Sequence, residues 1–182
     1  MPGFESLFAG TMSLVVLLYA AIPLFPLLYV IIRWRAKGGG EPGLGYRSGL
    51  LYLRTVSLLV LITGASLLLH GVLTERSDSR SMDEMRRVAY GLIVGGAVFF
   101  LITFTFIRTL PDAVGAIDAS RIFHGFVLLL SGLVTLGALV VLCILMFQKS
   151  AEFKDLRDPL AWLLVWSITW LVHVLILRPS RA

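Results

Sequence analysis

The chain alternates between long apolar runs and short polar connectors. One run, residues 122–147, contains no Lys, Arg, Asp or Glu. At about 1.5 Å per helical residue, it is long enough to cross a hydrocarbon layer about 30 Å thick. Five long apolar runs occupy residues 7–32, 50–73, 88–107, 122–147 and 160–177. The pattern predicts an all-α polytopic integral membrane protein, with residues 1–182 forming a single domain. We expect a five-transmembrane-helix up-and-down bundle.

Composition and charge placement favour the same class. Hydrophobic residues make up 58% of the chain and charged residues 15%, whereas soluble domains contain about 45–50% and about 25%. All eleven acidic residues lie outside the apolar runs. A charge at the centre of a bilayer costs at least about 2.5–3.5 kcal/mol, so a membrane chain must exclude acids from its spans.

Basic residues predict the orientation. None precedes the first run, whereas Arg33, Arg35 and Lys37 follow it. The first run therefore lacks the basic start of a signal peptide and is expected to be a retained helix. Because the first helix usually sets the topology, we expect the N-terminus outside and the C-terminus inside. That arrangement places nine basic residues inside and seven outside. The expected location is a bacterial inner membrane, with the chain crossing several times.

The connectors carry loop and helix-start signals. Residues 38–49 are glycine-rich but contain neither GxGxxG nor GxxxxGK[ST], so we expect a flexible loop. Residues 74–87 are expected to be a solvated loop, in which Ser81 and Glu84 have capping-box spacing for the next helix. Asp118 is a candidate N-cap, and Asp158 followed by Pro159 predicts the start of the last helix.

Small and polar residues predict helix packing at several positions. Gly91 and Gly95 form a GxxxG motif, which we expect to pack inside the bundle rather than at a dimer face. Ser131 and Thr135 share a small, hydroxylated face of the fourth run. A polar stripe on the second run should also face other helices; it comprises Tyr52, Thr55, Leu59, Thr63, Ser66 and His70.

The groups that most enzyme chemistries need are missing from the sequence. The runs contain no carboxylate pair, no HExxH or Cys/His cluster and no GxSxG motif. The lone Cys143 excludes an intrachain disulfide. No long basic run interleaved with aromatic residues indicates nucleic-acid binding. Catalysis is therefore not expected, and neither is a nucleic-acid partner.

Three histidines remain as candidate functional residues. Under the expected topology, His124 and His173 lie at similar depth on antiparallel neighbouring helices, whereas His70 lies near the opposite surface. Two imidazoles in this arrangement are what a b-type haem with bis-histidine ligation requires. The same pair suits another macrocycle, a weak transition-metal site or a purely structural role.

Three function classes follow from these observations. The leading hypothesis is a non-enzymatic accessory or scaffold subunit of a larger membrane assembly, whose partners are the lipid bilayer and other membrane subunits or further copies of itself. The first alternative is a small haem b protein in electron transfer, with His124 and His173 as axial ligands. The second is a small-solute transporter or channel whose path is lined by Thr63, Ser66 and His70.

Overall fold

Four long helices dominate the structure. The computed structural model describes residues 27–32, 34, 44–74, 79–110, 116–148 and 153–178, and no strand occurs in these ranges. The helices are α1 (Leu44–Leu73), α2 (Ser79–Thr109), α3 (Ala116–Phe147) and α4 (Phe153–Leu177). Residues 27–32 and 34 are also helical. Each long helix contains a stretch long and apolar enough to cross a membrane. The structure thus fits a multi-pass membrane helical bundle, although most of the first predicted span, residues 7–26, lies outside the described residues.

The apolar runs predict where the helices end better than where they begin. The four helices end at or within two residues of the predicted positions, yet each begins six to nine residues earlier than its apolar run. An apolar run marks only the part that crosses the hydrocarbon, whereas helical hydrogen bonding continues into the adjoining polar turns. The predicted loops 38–49 and 74–87 are therefore partly wrong, because residues 44–49 and 79–87 are helical.

Three predicted helix starts are corrected for the same reason. Ser81 and Asp118 lie two residues inside α2 and α3 rather than before their first turns. Pro159 lies inside α4, because the helix begins upstream at Phe153. Proline has no backbone N–H, so the Asp155 carbonyl lacks the donor that an α-helix normally supplies four residues later. A membrane helix tolerates this loss where water or a neighbouring polar group can hydrogen-bond the freed carbonyl.

Hydroxyl side chains within the spans donate hydrogen bonds to carbonyls of their own helices. Thr55 Oγ1 donates to the Leu51 carbonyl at 2.8 Å, and Ser66 Oγ donates to the Ile62 carbonyl at 3.0 Å. The same pattern recurs at Thr103 in α2. A hydroxyl in apolar surroundings needs an acceptor, and the preceding turn supplies one without any other partner.

The polar stripe predicted on α1 is turned inward. Its residues Thr55, Thr63 and Ser66 are buried, and Tyr52 and His70 are half-buried. Within the most apolar windows, 39% of α1 is buried, compared with 11% each of α2 and α3 and 17% of α4. Among these four helices, α1 is therefore the most buried in its apolar window.

The packing forms two compact units, each of which draws on several helices. The first comprises Met1–Leu59 and Gly95–Phe123. Its core is a cluster of buried apolar side chains, with Tyr52, Ile107 and Ile122 packed against it; the buried members are Leu28, Ile32, Leu51, Ala119 and Phe123. Residues 27–32 are thus anchored by α1 and α3 side chains.

The second unit comprises Val60–Val94 and His124–Ala182, and a glycine contact organises one side of it. A Cβ atom at Gly64 of α1 would lie 2.9 Å from Leu92 Cβ and 3.0 Å from the Ala89 carbonyl oxygen of α2. These distances are too short for any side chain, so only glycine permits this approach of the two backbones.

Gly64→Ala is expected to destabilise the protein by about 1–3 kcal/mol, because the added methyl group must displace a backbone carbonyl rather than a flexible side chain. Unfolding in mixed micelles with increasing SDS measures the change. The matched control is Gly137→Ala, where no described atom lies within 4 Å of the new methyl group and α-helix propensity favours alanine. Equal stability of the two variants would contradict the Gly64 contact.

Candidate functional site

The structure brings His124 and His173 into contact within the second unit. His124 lies in α3 and His173 in the last turns of α4, and their ring centroids are 5.4 Å apart with the rings tilted by 47°. Further contacts between these helices show that they are antiparallel, since Gly132 of α3 packs against Trp170 of α4. The juxtaposition expected from the sequence is therefore present, whereas the role of the pair as ligands stays a prediction.

A backbone hydrogen bond fixes the protonation pattern of His173. Its Nδ1 lies 2.8 Å from the Thr169 carbonyl oxygen, which can only accept, so Nδ1 carries the proton. In the neutral ring, Nε2 then holds the lone pair. His173 is also buried, with 5% of its surface exposed. A metal-binding histidine is commonly oriented by such a bond from its other nitrogen.

The distance between the rings limits what this pair can hold. Metal–imidazole bonds are about 2 Å long, so two ligands on opposite faces of a haem iron would have ring centroids roughly 6 Å apart. The observed 5.4 Å is shorter, and the tilted rings lie directly against each other. A haem would therefore require the two rings to separate and align. Within the described ranges, no group of three or more His, Cys, Asp or Glu side chains could hold a metal ion.

A second histidine contact lies toward the start of α4. His70 Nδ1, in the last turn of α1, is 3.1 Å from Asp158 Oδ1. The approach lacks the alignment of a good hydrogen bond, so it is better described as a close polar contact that becomes an ion pair when His70 is protonated. The α1 C-terminus favours a positive charge and the early turns of α4 favour a negative one.

The His70–Asp158 contact is not predicted from the sequence, in which Asp158 is a candidate helix cap. A signal was nevertheless present. The expected topology places the end of the second run and the start of the fifth run on the same side of the membrane. His70 and Asp158 are the polar residues at these two positions. Only the structure shows that the two helices are close enough for contact.

Two arginines lie near the same ends of these helices. Arg86 Nη2 donates to the Gly71 carbonyl at 3.3 Å, which satisfies an acceptor in the last turn of α1. Arg157 is buried, with 9% of its surface exposed, and its guanidinium carbon lies 5.4 Å from the Phe153 ring centroid. Burial of the Arg157 stem with its cation over an aromatic face is consistent with a position near the membrane surface.

The predicted packing residues behave in two different ways. Ser131 is fully buried and its Oγ donates to the Leu128 carbonyl, while Thr135 Oγ1 donates to the Ser131 carbonyl at 2.7 Å. Beside them, a Cβ atom at Gly132 would lie 3.2 Å from the Trp170 ring, a close contact that the sequence analysis did not single out. Gly91 and Gly95 are exposed, and no described atom lies within 4 Å of a Cβ placed at either glycine. No internal neighbour for this motif therefore occurs among the described residues.

Comparison with protein-family models, with curated proteins and with solved structures finds no match for this chain.

The His70–Asp158 contact is expected to contribute a small coupling energy. In a double-mutant cycle with His70→Gln and Asp158→Asn, we expect about 0.2–1 kcal/mol, because the Asp158 side chain is largely exposed to solvent. SDS unfolding of the four proteins measures it. In the matched cycle, Asp155→Asn replaces Asp158→Asn and should show no coupling to His70. Equal coupling in both cycles would contradict a specific contact.

Proposed function

We propose that the protein is a non-enzymatic, multi-pass membrane protein that serves as an accessory or scaffold subunit of a larger membrane assembly. The observation that carries the proposal is the exposed glycine motif of α2, Gly91 and Gly95, which no described residue covers. The two glycines permit another helix to approach closely, and no described part of this chain lies there. The surface is therefore suited to a helix from another subunit or from a second copy.

The two sides of α2 differ in a way that supports this proposal. Ala89 and Leu92 face the Gly64 contact with α1, whereas Gly91 and Gly95 are exposed. Branched and aromatic side chains flank the open glycines and are exposed too; they include Val88, Val94, Val98 and Phe99. Small residues that form a groove between larger apolar side chains permit two helical backbones to approach closely in lipid.

The remainder of the proposed arrangement follows the charge pattern. In this proposal the chain crosses a bacterial inner membrane five times as an up-and-down bundle, with its N-terminus outside and its C-terminus inside. His70 and Asp158 then lie toward the outer surface, while His124 and His173 lie toward the inner surface. The bilayer covers the apolar faces that other subunits leave open.

Gly95→Leu is expected to reduce association with the partner by about tenfold or more, because the leucine side chain prevents close backbone approach. The measurement is the fraction of tagged protein that co-purifies with its companions, or with a differently tagged copy, in mild detergent. The matched control is Gly137→Leu, a substitution at another exposed glycine with no described atom within 4 Å of its Cβ position. Full association of the Gly95→Leu protein would argue against this face, and equal loss in both variants would indicate a nonspecific effect.

The His124–His173 contact favours a second candidate function, a small haem b protein in electron transfer. The pair offers two imidazoles in contact, and the Thr169 carbonyl orients one of them. Haem would supply one-electron redox chemistry, with the two histidines as axial ligands. The short ring separation ranks this candidate below the subunit proposal.

The transporter alternative has less support, since Ser66 Oγ already bonds the Ile62 carbonyl.

Optical absorption of protein purified from haem-replete cells tests the haem candidate. A haem protein is expected to show a Soret band that is lost in His124→Ala and retained in His70→Ala, the matched histidine outside the pair. A folded wild-type protein without a Soret band would eliminate this candidate while leaving the subunit proposal intact.

A further inference from the structure

A groove runs between α3 and α4 within the second unit. Its volume is about 240 Å³, and five of its six lining residues are apolar. From α3 it is lined by Val134, Ala138 and Val141, and from α4 by Asp158, Pro159 and Trp162. Ala138 occupies the middle position of the α3 face, where its small side chain leaves space between two larger ones.

The groove begins near the expected membrane surface. Asp158 lies three residues after the start of the apolar stretch Asp155–Leu177, a rise of about 4.5 Å along the helix. Trp162 is one turn deeper, and Val134 is the most distant lining residue along α3. The groove therefore has a polar mouth and an apolar floor. A single-chain detergent or a membrane lipid likewise has a polar end and an apolar chain.

The mouth of the groove has the chemistry of a cation site. The Asp158 side chain is 66% exposed, and only its Oδ1 approaches His70. A carboxylate has several acceptor positions, so Oδ2 can accept a further donor. Trp162 follows on the same face of α4, and its ring stacks on Trp166 with centroids 6.0 Å apart. A carboxylate beside an indole attracts an ammonium group by charge and by its interaction with the ring face.

We propose that this groove binds one membrane lipid with an ammonium headgroup, such as a phosphatidylethanolamine. The headgroup ammonium contacts Asp158 and Trp162, and one acyl chain lies along Val134, Ala138 and Val141. Charge complementarity selects this occupant over an anionic lipid, because Asp158 is the one charged residue among those that line the groove and it repels a headgroup whose net charge is negative. The inference requires only that the helices lie in a bilayer, and it is independent of the subunit proposal.

Native mass spectrometry of the purified full-length chain tests the proposal, because it counts bound lipids and copies of the protein together. The probes are phosphatidylethanolamine and phosphatidylglycerol with identical acyl chains, added at equal concentrations. We expect the fraction of protein that retains one phosphatidylethanolamine to be roughly fivefold higher than the fraction that retains phosphatidylglycerol. That ratio is the effect expected from one exposed charge contact together with one cation–π contact.

Two substitutions separate the headgroup contact from the groove. Asp158→Asn is expected to abolish the preference between the lipids, whereas Asp155→Asn, one turn earlier on α4 and outside the groove, should preserve it. Ala138→Phe fills the groove and should remove the retained lipid. Its control is Leu139→Phe, at the next residue of α3, which does not line the groove.

Several outcomes would overturn the proposal. Equal retention of both lipids by the wild-type protein would indicate annular lipid only. A change in the number of protein copies on Ala138→Phe would assign the groove to a second copy. If Ala138→Phe lowers stability without changing lipid retention, the groove is occupied by another segment of the same chain rather than by lipid, which would contradict the proposal. If Ala138→Phe does not fold, the comparison of Asp158→Asn with Asp155→Asn still decides, and an unchanged preference in Asp158→Asn contradicts the proposal.

Discussion

The exclusion of unsatisfied polar groups from hydrocarbon is the constraint on which the structure depends. It restricts a spanning backbone to helices, and it gives every hydroxyl in a span a reason to bond its own helix, as Ser66, Thr103 and Thr135 do. The same constraint removes acidic residues from the interior of the spans. Packing then depends on shape, and among the described glycines Gly64 has the least room, because an added methyl group there would meet Leu92 Cβ at 2.9 Å.

Polar chemistry is consequently concentrated at the two ends of α4. His70 meets Asp158 near the beginning of that helix, and His124 meets His173 near its end. The two contacts are separated by 15 residues of α4, a rise of roughly 22 Å. Between the two contacts, α4 carries Trp162, Trp166 and Trp170, which are spaced four residues apart and lie on one side of the helix. Trp166 is fully buried, and its indole N–H has no acceptor in the described part of the chain. A largely apolar, aromatic segment of α4 therefore separates the two contacts.

The sequence predicted features that depend on local residues better than features that depend on contacts between helices. Apolar length identified the four described long helices and their ends, and helical spacing with antiparallel order matched His124 with His173. The helix starts predicted at Ser81, Asp118 and Pro159 are too late, because polar residues at the start of a helix resemble a loop when contacts with other helices are unknown. Which glycine is packed could not be predicted. GxxxG spacing singled out Gly91 and Gly95, for which the packing stays a prediction, whereas the close contacts among the described residues include those at Gly64 and Gly132. That outcome depends on how each helix is rotated about its axis, which a single sequence determines poorly.

The exposed glycine face of α2 connects this fold to its proposed role, and the intact wild-type assembly tests that connection most directly. The measurement is the mass and composition of the particle that contains this chain after extraction from its native membrane with the surrounding lipid. The account predicts a stoichiometric companion, either a different membrane subunit or a further copy of this chain. A particle that contains one copy of the chain and lipid alone would contradict it.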